Sequence, residues 1–197
     1  MCTYYLDLVL EPDPEFGAPM LMAALYAKLH RALVAVESTT PLGAVGVSFP
    51  LHDDARPTLG TCMRLHGSEA ALAALMSTPW LRGVRDHLAQ AQPTPQPVPL
   101  EKLQGYRVVS RVQVHSSPER QRRRLMRRQG VDEREAVQRI PNDVVQRCDL
   151  PFVSLASAST GQVFKLFVRH GTLQAQAVEG RFNAYGLSQQ GATVPWF

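Results

Sequence analysis

Five arginines wound onto one side of a single helix cannot be buried together, and that decides where one segment of this 197-residue chain must lie. The segment is Ser117-Pro118-Glu119-Arg120-Gln121-Arg122-Arg123-Arg124-Leu125-Met126-Arg127-Arg128. Ser117 is suited to cap a helix, Pro118 to its first position, and Glu119 to the positive end of its dipole. At about 100° per residue, Arg120, Arg123, Arg124, Arg127 and Arg128 fall within an arc of roughly 140°, with Leu125 and Met126 opposite. A helix built only for solubility would place carboxylates at i±4 against such charges. After Glu119 none appears before Asp132. The repulsion along that face therefore calls for a polyanionic partner, whereas an ordinary charge run is a solvated face.

The net charge of +4 is unevenly spread: residues 119–139 hold eight arginines against Glu119, Asp132, Glu133 and Glu135. A local basic face points to nucleic acid or an anionic membrane. The dominance of Arg over Lys favours planar recognition of phosphate or guanine. With 45% hydrophobic residues the chain can build a core, so wholesale disorder is excluded. Cys2, Cys62 and Cys148 are odd in number and share no C-x-x-C spacing, against a disulfide framework or structural zinc. Asp7, Glu11 and Asp13 interrupt any leader-like apolar core, and no apolar run reaches the roughly 18 residues of a membrane span. The expectation is a cytoplasmic protein with no membrane partner.

Taken in order, Tyr4–Leu10 alternates as a strand carrying Asp7 on one face. Met22, Leu25, Leu29, Leu33 and Val36 recur at helical spacing. Ala44–Phe49 and Thr61–His66 read as strands, and Ser68 caps a helix over 70–76. This order predicts an α+β chain opening with a ferredoxin-like domain over 1–92, whose last strand is needed around 82–92 but is not legible there. Four alternating prolines, Pro93 to Pro99, predict a linker over 93–104. The remainder, 105–197, is expected to be a second domain carrying the arginine-rich helix. In it Tyr106–His115 is a strand, the arginine helix follows, and Val131–Arg147 is a second helix kinked or split at Pro141. Phe152–Leu155, Val163–Val168, Leu173–Val178 and Phe182–Leu187 are read as short strands.

Arg111 and Gln113 stand two apart on the expected strand, so their side chains leave one face. Arg can grip a guanine edge and Gln an adenine edge, which makes them a base-reading pair just before the arginine helix. No H-x-x-x-H, H-E-x-x-H or phosphate-loop spacing is present. His52-Asp53-Asp54 is only locally metal-like, and His66, His87 and His115 read as structural. There remain His30, on a helix flank, and the serine-rich Ser157–Gln162. A histidine can take the proton of a ribose 2′-hydroxyl without a metal, a serine can hold that hydroxyl, and a tyrosine can orient the ring. By spacing alone, the serine stretch reads in preference as a polar hairpin turn between two strands.

Ser110-Arg111-Val112-Gln113, Ser117 to Arg128 and Arg139-Ile140-Pro141 resemble the type I-F CRISPR repeat-processing endoribonucleases, the Csy-type pre-crRNA endonucleases. Asp149 to Val153, Ser159-Thr160-Gly161-Gln162, Arg169-His170-Gly171, Tyr185-Gly186-Leu187-Ser188 and Val194 to Phe197 extend the likeness. Tyr5-Leu6-Asp7, Pro12 to Phe16, Lys28-Leu29-His30 and Gly46 to Pro50 carry it to the start. The resemblance implies a ferredoxin-like N-terminal domain and an arginine helix entering the major groove of a short RNA hairpin. It implies His30, Ser157 and Tyr185 as the catalytic set, acting without a metal or any other cofactor. Arg111 and Gln113 would read the lowest stem pairs, and Arg124, Arg127 and Arg128 would hold backbone or loop. Phe164 would stack on the closing pair, with Arg120, Arg123, Ser159 and Thr160 completing the RNA contacts. The implied partners are the CRISPR repeat hairpin, the processed crRNA and the other subunits of a type I-F surveillance complex. A non-catalytic RNA-binding subunit and a DNA-binding regulator are the competing readings, the last disfavoured by the lack of a helix-turn-helix pattern.

Overall fold

A computed structural model describes residues 2–36, 43–90, 92–113, 118–140, 148–157 and 161–197, with side chains omitted at 118–121. Helices and antiparallel sheets mix in an α+β arrangement. Packing divides the chain into one unit of Met1–Val112 with Leu150–Phe197, and a second of Gln113–Asp149.

The first unit opens with β1 (Tyr4–Val9), whose alternation sends Leu6 and Leu8 into the core. On its other face Asp7 lies opposite Arg64 of β3 (Cys62–Gly67). Arg64 forks onto both carboxylate oxygens at 2.7 and 2.8 Å and lies over the Tyr5 and Phe197 rings, which accounts for a charge within a strand. Next, α1 (Ala18–Val36) buries Leu21, Met22, Leu25, Tyr26, Leu29, Ala32, Leu33 and Val36, the stripe the spacing predicts. By length and mean composition alone α1 could cross a bilayer, though Lys28, His30 and Arg31 interrupt its apolar run. Its stripe is instead core, with Leu25, Tyr26 and Leu29 fully buried.

Antiparallel pairing joins β2 (Gly46–Ser48), β3, β1 and β4 (Gln96–Pro97) in that spatial order. Between β3 and β4 runs α2 (Glu69–Met76), capped by Ser68, whose hydroxyl accepts the Ala71 N–H. The strand sought around 82–92 is elsewhere: Arg85–His87 forms a 3-10 turn, Leu88 makes a single bridge to Leu10, and pairing resumes at Gln96. The proline stretch thus supplies the edge strand, a position where a proline without an N–H is tolerated. The packing division falls at 112 and 150.

The expected strand from Tyr106 is interrupted at Val108. β5 (Gly105–Arg107) pairs with β9 (Val194–Trp196), and β6 (Val109–Val112) joins β8 (Val163–His170) and β7 (Phe152–Ala156) in a three-stranded sheet. Val109, Val153, Leu155, Leu166 and Val168 merge into the same core as α1. Leu173–Val178 is not a strand: Gln174 alone bridges to Tyr106, and Leu173 and Val178 are exposed. Phe182–Leu187 is likewise a turn.

The second unit contains α3 (Pro118–Gln129) and α4 (Glu133–Arg139). α3 stops at Gly130, whose φ of +66° closes the helix as its N–H reaches the Met126 carbonyl. Asp132 caps α4 by accepting the Glu135 N–H. α4 begins two residues later than predicted, and the predicted continuation over 141–147 lies outside the described residues. The Pro141 kink, the Ser117 cap and the end of the Tyr106–His115 strand lie outside the described residues.

Candidate active site and basic helix

His30 projects from the flank of α1, half-buried beside the core stripe. Its Nδ1 is 2.8 Å from the Ala184 carbonyl oxygen. A carbonyl can only accept, so Nδ1 carries the proton and Nε2 is the basic atom of the neutral ring. The Tyr185 ring stacks on the imidazole at 4.0 Å and 9°, which holds its plane.

Ala184 and Tyr185 belong to a turn set by their neighbours. The Asn183 side-chain oxygen accepts the N–H groups of Tyr185 and Leu187 at 2.8 and 3.1 Å. Asn183 also exchanges main-chain bonds with Leu187 and Gly186. Gly186 has φ +71°, and a Cβ there would lie 2.3 Å from Val47 Cγ2, so only glycine lets the turn approach β2. Its carbonyl accepts the Val47 N–H. From below, Tyr26, one turn before His30, donates its hydroxyl to the Tyr185 carbonyl at 2.8 Å. Burial raises that phenol's pKa far above its usual range, keeping it a neutral donor.

Ser157 follows β7, which packs against α1. Its N–H donates to the Gln162 carbonyl and its carbonyl accepts the Gly161 N–H. His30, Ser157, Tyr185 and Phe164 line one cleft of about 390 Å³ with Ala27, Arg31, Val34, Leu155 and Ala156. The Arg111 guanidinium lies 5.8 Å from the Phe164 ring centroid. Gln113 is exposed in the second unit. Ser159 and Thr160 lie outside the described residues.

On α3, Arg123, Arg124, Arg127 and Arg128 are exposed, and none has an ion pair among the described residues. Arg120 is within the helix, but its side chain is not described. Arg122 behaves differently: its Nε donates to the Ile140 carbonyl at 2.8 Å, tying α3 to the end of α4. Arg139 pairs with Glu135 and donates to Gln129.

The other histidines have structural surroundings. His66 is buried against Ser48 at 2.8 Å, and His87 meets Asp13 at 2.9 Å. His52 donates Nδ1–H to the Phe49 carbonyl and stacks on His170 at 3.7 Å. Asp53 accepts the N–H groups of Ala55 and Arg56, as a turn residue does. Among the described residues no group of three or more His, Cys, Asp or Glu is placed to hold a metal. His115 lies outside them.

Sequence reasoning missed the Ala184 carbonyl, Asn183 and Tyr26, because each acts through geometry that periodicity does not encode. The Tyr185-Gly186 pair, with its glycine, was the available signal.

Over residues 5–197 the chain matches the family described as CRISPR-associated protein (Cas_Csy4). It is 53% identical over 196 residues to the CRISPR-associated endonuclease Cas6/Csy4 of Pseudomonas aeruginosa (strain UCBPP-PA14), covering 98% of this chain and 99% of that one. It is 46% identical over 194 residues to the CRISPR-associated endonuclease Cas6/Csy4 of Escherichia coli (strain UTI89 / UPEC), covering 98% and 99%.

Proposed function

The chain belongs to the Cas_Csy4 family of CRISPR-associated proteins, and on that footing we propose that it is a metal-independent endoribonuclease that cuts CRISPR repeat transcripts at the 3′ base of a hairpin. One observation carries the chemistry. The His30 Nδ1–H is committed to the Ala184 carbonyl, so the neutral ring offers Nε2 as a base, in a cleft it shares with Ser157 and Tyr185. In the proposed reaction Nε2 takes the proton of the 2′-hydroxyl just upstream of the cut while Ser157 holds that oxygen. The 2′-oxygen bonds to phosphorus, the bond from phosphorus to the next nucleotide's 5′-oxygen breaks, and that oxygen takes a proton from solvent. The products are a 2′,3′-cyclic phosphate and a 5′-hydroxyl. The nucleophile belongs to the substrate, so no metal-activated water is needed.

In the same reading the first 92 residues are a ferredoxin-like unit completed by an edge strand from the 93–104 stretch, which the order β2-β3-β1-β4 supports. Residues 105–197 bind the hairpin. Arg111 and Gln113 read the lowest stem pairs, Phe164 stacks on the closing pair, and Ser159 and Thr160 add contacts. Arg120, Arg123, Arg124, Arg127 and Arg128 hold the RNA backbone. An A-form major groove is normally too narrow for a helix, but a short stem ending in a loop can admit one. The protein then stays on the processed crRNA as a subunit of a cytoplasmic surveillance complex.

The test is cleavage of a repeat hairpin with and without a chelator, and of the same hairpin carrying a 2′-deoxy nucleotide at the cut. Cleavage survives the chelator and stops on the deoxy substrate, which still binds. His30→Ala cuts about 10²–10⁴-fold more slowly, the usual worth of positioned proton transfer, with hairpin affinity retained. Cleavage of the deoxy substrate, or loss of cleavage with the chelator, would falsify the mechanism. Binding without any cleavage by the parent would leave an RNA-binding subunit instead.

A further inference from the structure

Transferring a phosphoryl group within RNA concentrates negative charge on the two non-bridging oxygens as the 2′-oxygen attacks. A site that answers this with a fixed cation lowers the barrier, and the gain is largest where the walls exclude water. The lining residues assigned so far do not supply such a cation. His30 takes a proton, Ser157 and Tyr185 are neutral, and Ala27, Val34, Leu155, Ala156 and Phe164 make the rest of the cleft wall apolar.

Arg31 fills that gap. Among the described residues that line the cleft, it is the single side chain with a permanent charge. It follows His30 on α1 and lies four residues after Ala27 and three before Val34. At helical spacing these side chains form one strip along the cleft wall. Its guanidinium is exposed, and it makes no ion pair or side-chain hydrogen bond among the described residues. Several other described cations of the first unit are committed: Lys28 donates to the Arg82 carbonyl at 2.7 Å, Arg64 is held by Asp7, Arg107 donates to the Gly171 carbonyl, and Arg111 lies over the Phe164 ring at 5.8 Å. Among the described residues Arg31 is thus a cation without a side-chain partner, one residue from the base, on the wall of the reaction cleft.

We propose that Arg31 is a further catalytic residue, whose guanidinium hydrogen-bonds a non-bridging oxygen of the scissile RNA phosphodiester and stabilises the charge that grows there. The inference rests on the reading of His30 as the base of that reaction. The planar fork of Arg suits two phosphate oxygens in a way that the point charge of Lys does not. The residue would therefore act on the rate of the chemical step more than on hairpin affinity, which the arginine-rich sequence of α3 dominates.

The experiment is single-turnover cleavage of a repeat hairpin by the full chain and by Arg31→Gln, Arg31→Lys and His30→Ala. Affinity is measured in parallel on the hairpin with a 2′-deoxy nucleotide at the cut. Arg31→Gln is expected to slow cleavage by roughly 10²-fold, as loss of one charge-stabilising donor does, with Arg31→Lys in between and affinity little changed. A phosphorothioate at the scissile position separates contact from mere wall-building. Sulfur in place of the contacted oxygen slows the parent, and this penalty shrinks in Arg31→Gln, where the contact is already gone. Parental cleavage by Arg31→Gln overturns the proposal. So does a slowed variant that keeps the full thio penalty, or one whose penalty shrinks only when sulfur sits on a neighbouring phosphate. If His30→Ala cleaves at the parental rate, the underlying reading of the base fails, and this is seen independently of either Arg31 variant.

Discussion

At the residue scale, the candidate site depends on two atoms that have no side-chain chemistry of their own, the Ala184 carbonyl oxygen and the missing Cβ of Gly186. The carbonyl selects the His30 tautomer, and the glycine lets the turn that bears it close onto β2. Gly186→Ala meets both costs at once. An L-residue at φ +71° is strained by about 1–2 kcal/mol, and the new methyl would lie 2.3 Å from Val47 Cγ2. Since both Val47 and Gly186 are held by a main-chain bond, the turn is what must move, carrying Ala184 and Tyr185 with it. The variant is expected to melt at lower temperature and to cleave more slowly even where it remains folded, while its hairpin affinity changes far less. A variant destabilised on melting but cleaving at the parental rate when folded would separate the turn from the base.

At the scale of elements, α3 presents two kinds of arginine. Arg124 and Arg128 are exposed and unpaired among the described residues, whereas Arg122 is anchored to the Ile140 carbonyl. Arg124→Ala and Arg128→Ala should weaken hairpin binding uniformly across stem sequences. Each should lower the salt slope by about 1, as loss of a phosphate contact does; unchanged binding across a salt titration would mean that α3 is not the RNA-gripping element. The helix was legible because charge and apolar side chains separate cleanly at its period, and α1 was legible for the same reason. Phe182–Leu187 was misread as a strand because its bounding apolar residues mimic alternation, while its shape is set by Asn183 and by packing on Val47, far away in sequence. β4 escaped because two residues between prolines carry no pattern, and its pairing with Tyr4 and Tyr5 is what makes it a strand. The candidate groups His30, Ser157 and Tyr185 could be named from the resemblance. Their supports, Tyr26 and Asn183, could not, since a buried tyrosine on an apolar stripe reads as core.

For the molecule as a whole, acid stability follows from two histidines folded into the first unit as neutral rings. Burial, followed by the nearby His52 and Arg107, lowers the pKa of His170 to about 3. Burial, followed by Arg64, pulls His66 well below the ordinary value. A histidine whose folded pKa is depressed stabilises the fold fully above its unfolded pKa, near 6.5. That contribution is lost as the pH falls from there, for His170 down to about 3, because the unfolded chain binds the proton and the folded one does not. Each such group then removes up to about 1.4 kcal/mol per pH unit, or about 2 kcal/mol between about pH 7.5 and about pH 5. Both rings are part of the packing: the Phe49 N–H donates to His170 Nε2 at 3.3 Å, and His66 Nε2 lies 2.8 Å from the Ser48 hydroxyl. His170→Gln keeps an acceptor for the Phe49 N–H but cannot titrate. Urea unfolding at the two pH values should show the parent losing more stability on acidification than His170→Gln, by about 2 kcal/mol. The variant's lower stability at neutral pH cancels from that difference. Equal losses in the two proteins would mean that His170 is protonated in the fold as readily as in the unfolded chain, and that its buried contacts do not exclude the charged ring.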